Sequence, residues 1–212
     1  MSNDQIIINN QTYTMDDISY YHTLHCLSQV DEVEKVKCLL EQGIDPDIRD
    51  DYEGTPLHRV AAVGSLESGR VLIDNGADVD ARDIFGNSPL HEASLLHEVS
   101  FDDQLKVAEL LIDSGADVNI RNNAGEIPLH LASVSNHIKV ATLLTSCTSD
   151  IDAVDKQGET PLFKACERGH IELIVMLLES GADIHIKNNS GCTALHIATA
   201  FGQLEAAKIL IK

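Results

Sequence analysis

The chain has no tryptophan and only 4% aromatic residues, so its core has to be assembled from Leu, Ile, Val and Ala. With 212 residues, 43% of them hydrophobic, there is material for one ordinary domain or one repeat array. Basic residues are scarce: 15 Lys and Arg stand against 34 Asp and Glu, a formal charge of −19. Such a field repels nucleic-acid phosphates and anionic membrane surfaces, which excludes both as expected partners, and it suits a basic protein. Cysteines are few and odd in number (Cys26, Cys38, Cys147, Cys166 and Cys192), with no Cys-x-x-Cys pair. That excludes a disulfide framework and a zinc-knuckle spacing, and it fits the reducing cytoplasm. No apolar run approaches the roughly 20 residues of a membrane span. Met1 to Asp16 also lacks the basic segment and apolar stretch of a signal peptide.

What is present is a ruler. Leu24, Leu57, Leu90, Leu129, Leu162 and Leu195 are separated by 33, 33, 39, 33 and 33 residues. Five of them precede a histidine, at His25, His58, His91, His130 and His196, and four follow a proline. A period of this length is one supersecondary unit stacked on its neighbours, because no single unit buries its apolar face alone.

Each piece of the unit has a physical task. Thr55 and Thr160 cap a first helix, and Pro56 and Pro161 stand in its first turn, where the missing N–H costs nothing. Leu57, Val60 and Ala61 recur at helical spacing and are expected inside. Gly64 and Gly169 allow the reversal between two antiparallel helices. Leu72 with Ile73, and Leu177 with Leu178, line the second helix, which Gly76 and Gly181 end.

The runs Thr55-Pro56-Leu57-His58, Ser88-Pro89-Leu90-His91, Ile127-Pro128-Leu129-His130, Thr160-Pro161-Leu162-Phe163 and Thr193-Ala194-Leu195-His196 resemble the ankyrin repeat. So do the Gly-Ala-Asp segments at Gly76, Gly115 and Gly181. The resemblance covers residues 17–212 and implies an all-α solenoid of stacked antiparallel helix pairs with hairpin-like loops projecting to one side. Its units are expected at 17–49, 50–82, 83–121, 122–154, 155–187 and 188–212. Ahead of them, residues 1–16 form an arm or a short β-hairpin turning at Asn9-Asn10.

Departures from the pattern locate irregularities. The first unit reads His22-Thr23-Leu24-His25 and looks like a cap. Glu53 stands where a turn glycine is usual. The third unit is six residues too long, with the excess expected near His97 to Asp103, between its helices. In the fourth, Thr148 replaces the helix-ending glycine, which predicts a differently closed corner. The sixth stops at Lys212, in its second helix, so that helix is either a cap or part of a longer array.

The pattern argues against chemistry. Helix layers lie about 8–10 Å apart, and a zinc ion needs nitrogens at about 2 Å. Equivalent histidines therefore share no metal, and the resemblance implies that they bridge loops by hydrogen bonds. His137 and His170 begin second helices and are expected at the surface. Cys166 and His170 are four apart, but Gly169 breaks the helix between them and no third group orients them. The loop pairs Asp45 and Asp47, Asp78 and Asp80, and Asp150 and Asp152 lack a twelve-residue calcium loop. Their expected partners are Arg49, Arg82, Arg121 and Lys187. No cofactor, metal or enzymatic activity is expected.

The resemblance places partner contacts on the hairpin tips and on the inner, concave face of the first helices. Tyr52, Ile84, Phe85, Leu95 and Leu96 are expected to form an apolar patch rimmed by Asp51 and Arg82, unless Leu95, Leu96 and Phe101 pack under the insertion instead. Asn87, Asn123 and Glu126 complete the candidate surface. The expected function is a monomeric, non-enzymatic scaffold for a protein partner. A narrower version is an acidic inhibitor or immunity-type protein against a basic toxin, and the alternative is a bacterial effector module that engages a host protein.

Overall fold

A computed structural model describes residues 5–8, 11–14, 20–95, 101–147 and 150–211. The chain forms two compact units, Met1–Ala93 with Asp102–Ala116, and Ser94–Phe101 with Asp117–Lys212. The fold is of the all-α repeat class expected from the sequence. Of the two expectations for residues 1–16, the structure has the hairpin strands, an antiparallel pair β1 (Gln5–Ile8) and β2 (Gln11–Thr14), in which Gln5 faces Thr14 and Ile8 faces Gln11. Asn9 and Asn10, the expected turn, lie outside the described residues.

The first unit holds α1 (Tyr20–Gln29), α2 (Val33–Glu41), α3 (Pro56–Val63) and α4 (Leu66–Asp74), with α5 (Pro89–Ser94) and α6 (Phe101–Asp113) at its boundary. In it α1 packs on α3 and α2 on α4. The second unit holds α7 (Pro128–Ser135), α8 (Ile138–Cys147), α9 (Pro161–Arg168), α10 (Ile171–Glu179), α11 (Ala194–Ala200) and α12 (Leu204–Ile211). There α7, α9 and α11 form one layer and α8, α10 and α12 the other. Five ruler leucines are fully enclosed: Leu24, Leu57 and Leu90 are 0% exposed, and Leu129 and Leu162 are 1% exposed. Leu195, in the last pair, is half-buried.

The helix reversals use left-handed backbone at one repeated place. Gly64 and Gly169 occupy it with φ of 82° and 70°, and Asp31 and Asn136 do so at 58°. Asp31 also works as a cap, since its carboxylate accepts the Ser68 N–H in the first turn of α4 at 2.8 Å. Gly64 is required twice over. A Cβ there would lie 2.8 Å from the carbonyl carbon and Cβ of Asp103.

That contact corrects the expected position of the insertion. Asp102 and Asp103 are not in a loop between helices but in the first turn of α6, which has 13 residues against nine in α4. Part of the excess is an added helical turn, laid against Gly64. Residues 96–100 and the corner at Thr148 lie outside the described residues.

Within each unit, two hydrogen-bond ladders tie successive pairs together. The first runs through the recurring histidines. His58 Nδ1 accepts the Thr55 N–H at 3.1 Å, and His130 Nδ1 accepts the Ile127 N–H at 3.2 Å. A backbone N–H only donates, so Nδ1 is bare and Nε2 carries the proton. Nε2 then donates to the next turn, to the Asn87 carbonyl from His58 and the Glu159 carbonyl from His130, both at 3.0 Å. His25 reaches the Gly54 carbonyl in the same way at 2.9 Å.

The second ladder was not foreseen. At the start of four second helices, α4, α6, α10 and α12, a polar side chain donates to the carbonyl at the end of the preceding first helix. Ser65 donates to Gln29, Gln104 to Ala62, His170 to Val134 and Gln203 to Glu167, at 2.7 to 3.1 Å. The expectation of surface histidines here is therefore corrected: His170 is half-buried, and His137 at the equivalent place is 1% exposed.

Phe163 interrupts the first ladder. It is 2% exposed and carries no acceptor, so the buried Thr160 hydroxyl has no hydrogen-bond partner among the described residues. Thr160→Val is expected to stabilise the chain by about 1 kcal/mol, because it removes an unsatisfied buried hydroxyl at constant shape. Its extended backbone, φ −89° and ψ 167°, suits a β-branched residue. Thr55→Val, where the hydroxyl lies 2.9 Å from His58 Nδ1, is expected to cost about 1 kcal/mol. Urea midpoints that move in the same direction for both variants would contradict this.

Candidate partner-binding face

Every turn between pairs is built on one device. The side-chain oxygen of its first residue accepts two backbone N–H groups, two and four residues on. Asp50 accepts Tyr52 and Gly54, and Asp83 accepts Phe85 and Asn87. Asn122, Asp155 and Asn188 do the same in the second unit. Within the first unit, the Ile84 N–H donates to the Tyr52 carbonyl at 2.9 Å and sets two tips side by side. The turn at Asp50 is also the strained one. Glu53 has φ 59°, where Gly86, Gly125, Gly158 and Gly191 take 76–82°. A side chain in that region costs about 1–2 kcal/mol.

Two of the cations expected to pair with loop acids, Arg49 and Arg121, serve the backbone, which is a second correction. Arg49 Nη1 donates to the carbonyls of Glu53 and Arg82, both at 2.6 Å. Arg121 Nη1 donates to Gly125 and Val154 at 2.7 and 2.6 Å. The loop acids likewise answer N–H groups. Asp47 accepts the Asp78 N–H, and Asp152 the Asp183 N–H. Burial pushes both carboxyls above their ordinary value.

The cations that do meet turn acids, Arg59 and Lys164, went unremarked in the sequence. They hold the same place, nine residues after the first residue of the turn. Arg59 bonds Asp50, and Lys164 lies 2.8 Å from both Asp155 and Glu159. Burial pushes the Asp50 carboxyl up, but Arg59 and the turn N–H groups outweigh it and hold it below its ordinary value. Lys164 does the same for Asp155.

The candidate surface divides accordingly. Tyr52, Ile84 and Phe85 are 61, 54 and 60% exposed, side by side on the tips of the first unit. Asp51 and Arg82 beside them are exposed. Asn87 is half-buried, with its amide 3.3 Å from the Glu92 carboxylate. Leu95 is half-buried, Leu96 lies outside the described residues, and Phe101 opens α6. In the second unit Asn123 is exposed, whereas Glu126 is half-buried and accepts the Asn122 amide at 3.0 Å.

A pocket of about 200 Å³ opens beside the first tip, lined by His25, Cys26 and Gln29 of α1, Asp50, Asp51 and Tyr52 of the turn, and Arg59 of α3. Nucleophilic chemistry finds no support at Cys166. That side chain is 0% exposed and burial pushes its thiol up to about 12, so the thiolate is absent at neutral pH. His170 meanwhile points at the Val134 carbonyl.

No helix of the described residues is long and apolar enough to cross a membrane. No curated protein matches the chain. The family model for Ankyrin repeats (3 copies) matches residues 24–122, 94–155 and 129–212. These matches span most of the chain and coincide with the helix pairs and histidine bridges above, so the chain belongs to the ankyrin-repeat family, whose arrays are protein–protein interaction modules.

Proposed function

We propose that the chain binds a basic protein partner through the turn tips of its first unit. Tyr52, Ile84 and Phe85 are the apolar anchors, and Asp51 and Arg82 form the rim. The observation that carries this reading is positional. The two residues after the first of each turn are Asp51 and Tyr52, Ile84 and Phe85, Asn123 and Ala124, Lys156 and Gln157, and Asn189 and Ser190. Only the first two turns carry large apolar side chains, and these three are more than half exposed. Exposed aromatic and aliphatic clusters with a polar rim are the usual anchors of an interface. Asn87 has a supporting place in this reading, and Leu95, Leu96, Phe101, Asn123 and Glu126 are candidates from the sequence alone.

The formal charge of −19 supports the basic partner and the narrower role of an inhibitor or immunity-type protein. Capture from native lysate identifies the partner, and titration of the purified pair tests the face. Phe85→Ala and Tyr52→Ala are each expected to weaken binding about 10- to 100-fold, with unchanged thermal unfolding, as for interface anchors. The association rate is expected to fall steeply with salt while the apolar anchors hold the off-rate. Full affinity in both variants would refute this face.

A further inference from the structure

We propose that the pocket beside Tyr52 takes an arginine side chain of the protein partner. This rests on the docking face proposed above and names what that face recognises.

Size is the first argument. A volume of about 200 Å³ falls below the roughly 300–1,000 Å³ typical of small-molecule sites and suits one long side chain.

The second argument is an inventory of what the lining still offers. Asp50 is already committed, with one oxygen on the N–H groups of Tyr52 and Gly54 and the other on Arg59. Its charge and that of Arg59 cancel as a pair. His25 directs Nε2 to the Gly54 carbonyl. The remaining charged group of the lining is Asp51, an exposed carboxylate without a hydrogen bond or ion pair among the described residues. Next to it in the chain stands the Tyr52 ring, 61% exposed. The pocket thus has one free negative charge and one free aromatic face, within a chain of charge −19. A partner carboxylate would meet that charge unfavourably, and an aliphatic side chain would leave it unanswered.

The third argument separates arginine from lysine. A guanidinium is flat, so it lies on an aromatic ring while presenting two N–H groups to one carboxylate. A lysine ammonium is a compact, strongly hydrated point charge.

The test uses the full chain labelled with 15N and the probe N-acetyl-arginine amide, followed by amide chemical shifts. Saturable shifts are expected at Cys26, Gln29, Asp51, Tyr52 and Arg59, with an affinity on the order of millimolar. N-acetyl-citrulline amide, the neutral near-isostere, is expected to bind at least about tenfold more weakly, and N-acetyl-lysine amide about threefold more weakly. Asp51→Asn is expected to weaken the arginine probe about fivefold or more, and its own fold is safe because the carboxylate supports nothing else. No shifts at about 50 mM probe, equal binding of citrulline, or an unaltered Asp51→Asn titration would overturn the assignment. Failure here is distinguishable from failure of the docking face. Phe85 lies outside the pocket lining. If Phe85→Ala weakens the partner and Asp51→Asn does not, the face stands and the arginine assignment falls.

Discussion

Lys164→Met is expected to destabilise the protein by about 3 kcal/mol, toward the lower end of what breaking a buried ion pair costs. The ammonium lies 2.8 Å from Asp155 and 2.8 Å from Glu159, with Glu126 at 4.0 Å. The Lys164 side chain is 13% exposed and that of Asp155 is 0% exposed. Methionine keeps most of the aliphatic stem, so the loss is mainly the charge. Asp155 would remain buried, held only by the N–H groups of Gln157 and Glu159. Those two bonds are why the expected cost does not reach the top of the range.

The pH dependence checks the mechanism. In the wild type the Asp155 carboxyl is held below its ordinary value of 3.8, so its stabilising contribution is present above that pH and lost as pH falls through the folded value. Without Lys164 the carboxyl titrates higher. The two stability curves should therefore converge in acid, below about pH 4. Urea unfolding at pH 7 and at pH 3.5 measures both. A difference under about 1 kcal/mol at pH 7, the value of a surface pair, would show that the cation is solvated instead.

The sequence made the repeat legible because its signals are backbone requirements. Proline at the first helical turn, glycine in left-handed backbone and leucine facing inward follow from local geometry, and they recur in register. Glu53 was legible for the same reason, since it stands at the place of Gly86 and Gly125 and adopts their positive φ. What stayed hidden was the choice of partner. Arg49 and Arg121 sit among acids in the sequence, so pairing with carboxylates was the natural expectation. The turn acids Asp50 and Asp155, however, are already occupied by backbone N–H groups on one oxygen and by Arg59 or Lys164 on the other, which leaves carbonyls for the Arg49 and Arg121 guanidinium groups. The second ladder left a faint trace. Ser65, Gln104, His137, His170 and Gln203 are all polar at the start of a second helix. Ser65, Gln104, His170 and Gln203 differ so much in size and chemistry that only the shared acceptor, a carbonyl at the end of the preceding first helix, reveals a common role. The face at Tyr52, Ile84 and Phe85 was legible as an excess of large side chains in turns. The pocket next to it was not, because α1, the turn and α3 meet only in the fold.

His130→Phe is expected to cost about 2 kcal/mol at pH 7.5, and the cost should shrink as the pH falls toward 5. The ring is 0% exposed and links the Ile127 N–H to the Glu159 carbonyl. Phenylalanine fits this place, as Phe163 shows one pair later, so the loss is in hydrogen bonding rather than volume. Burial depresses the His130 pKa below its ordinary 6.5, more than the Glu159 carbonyl and the nearby acids raise it. Protonation would also put a hydrogen on Nδ1, the atom that has to accept from Ile127. A group that titrates lower in the folded state gives its full contribution above its unfolded value and loses it as pH falls through the folded one. Wild-type stability should therefore decline from about pH 6.5 downward, with His58 adding to the slope, since burial depresses it too. The variant lacks the share of His130, so its profile is flatter and the gap between the two narrows in acid. Hydrogen exchange at the Ile127 amide gives a local reading, because that N–H loses its acceptor in the variant and should exchange faster at pH 7.5. A gap that widens between pH 7 and 5, or an Ile127 amide as protected as before, would mean that His130 does not bridge the turns as a neutral donor and acceptor.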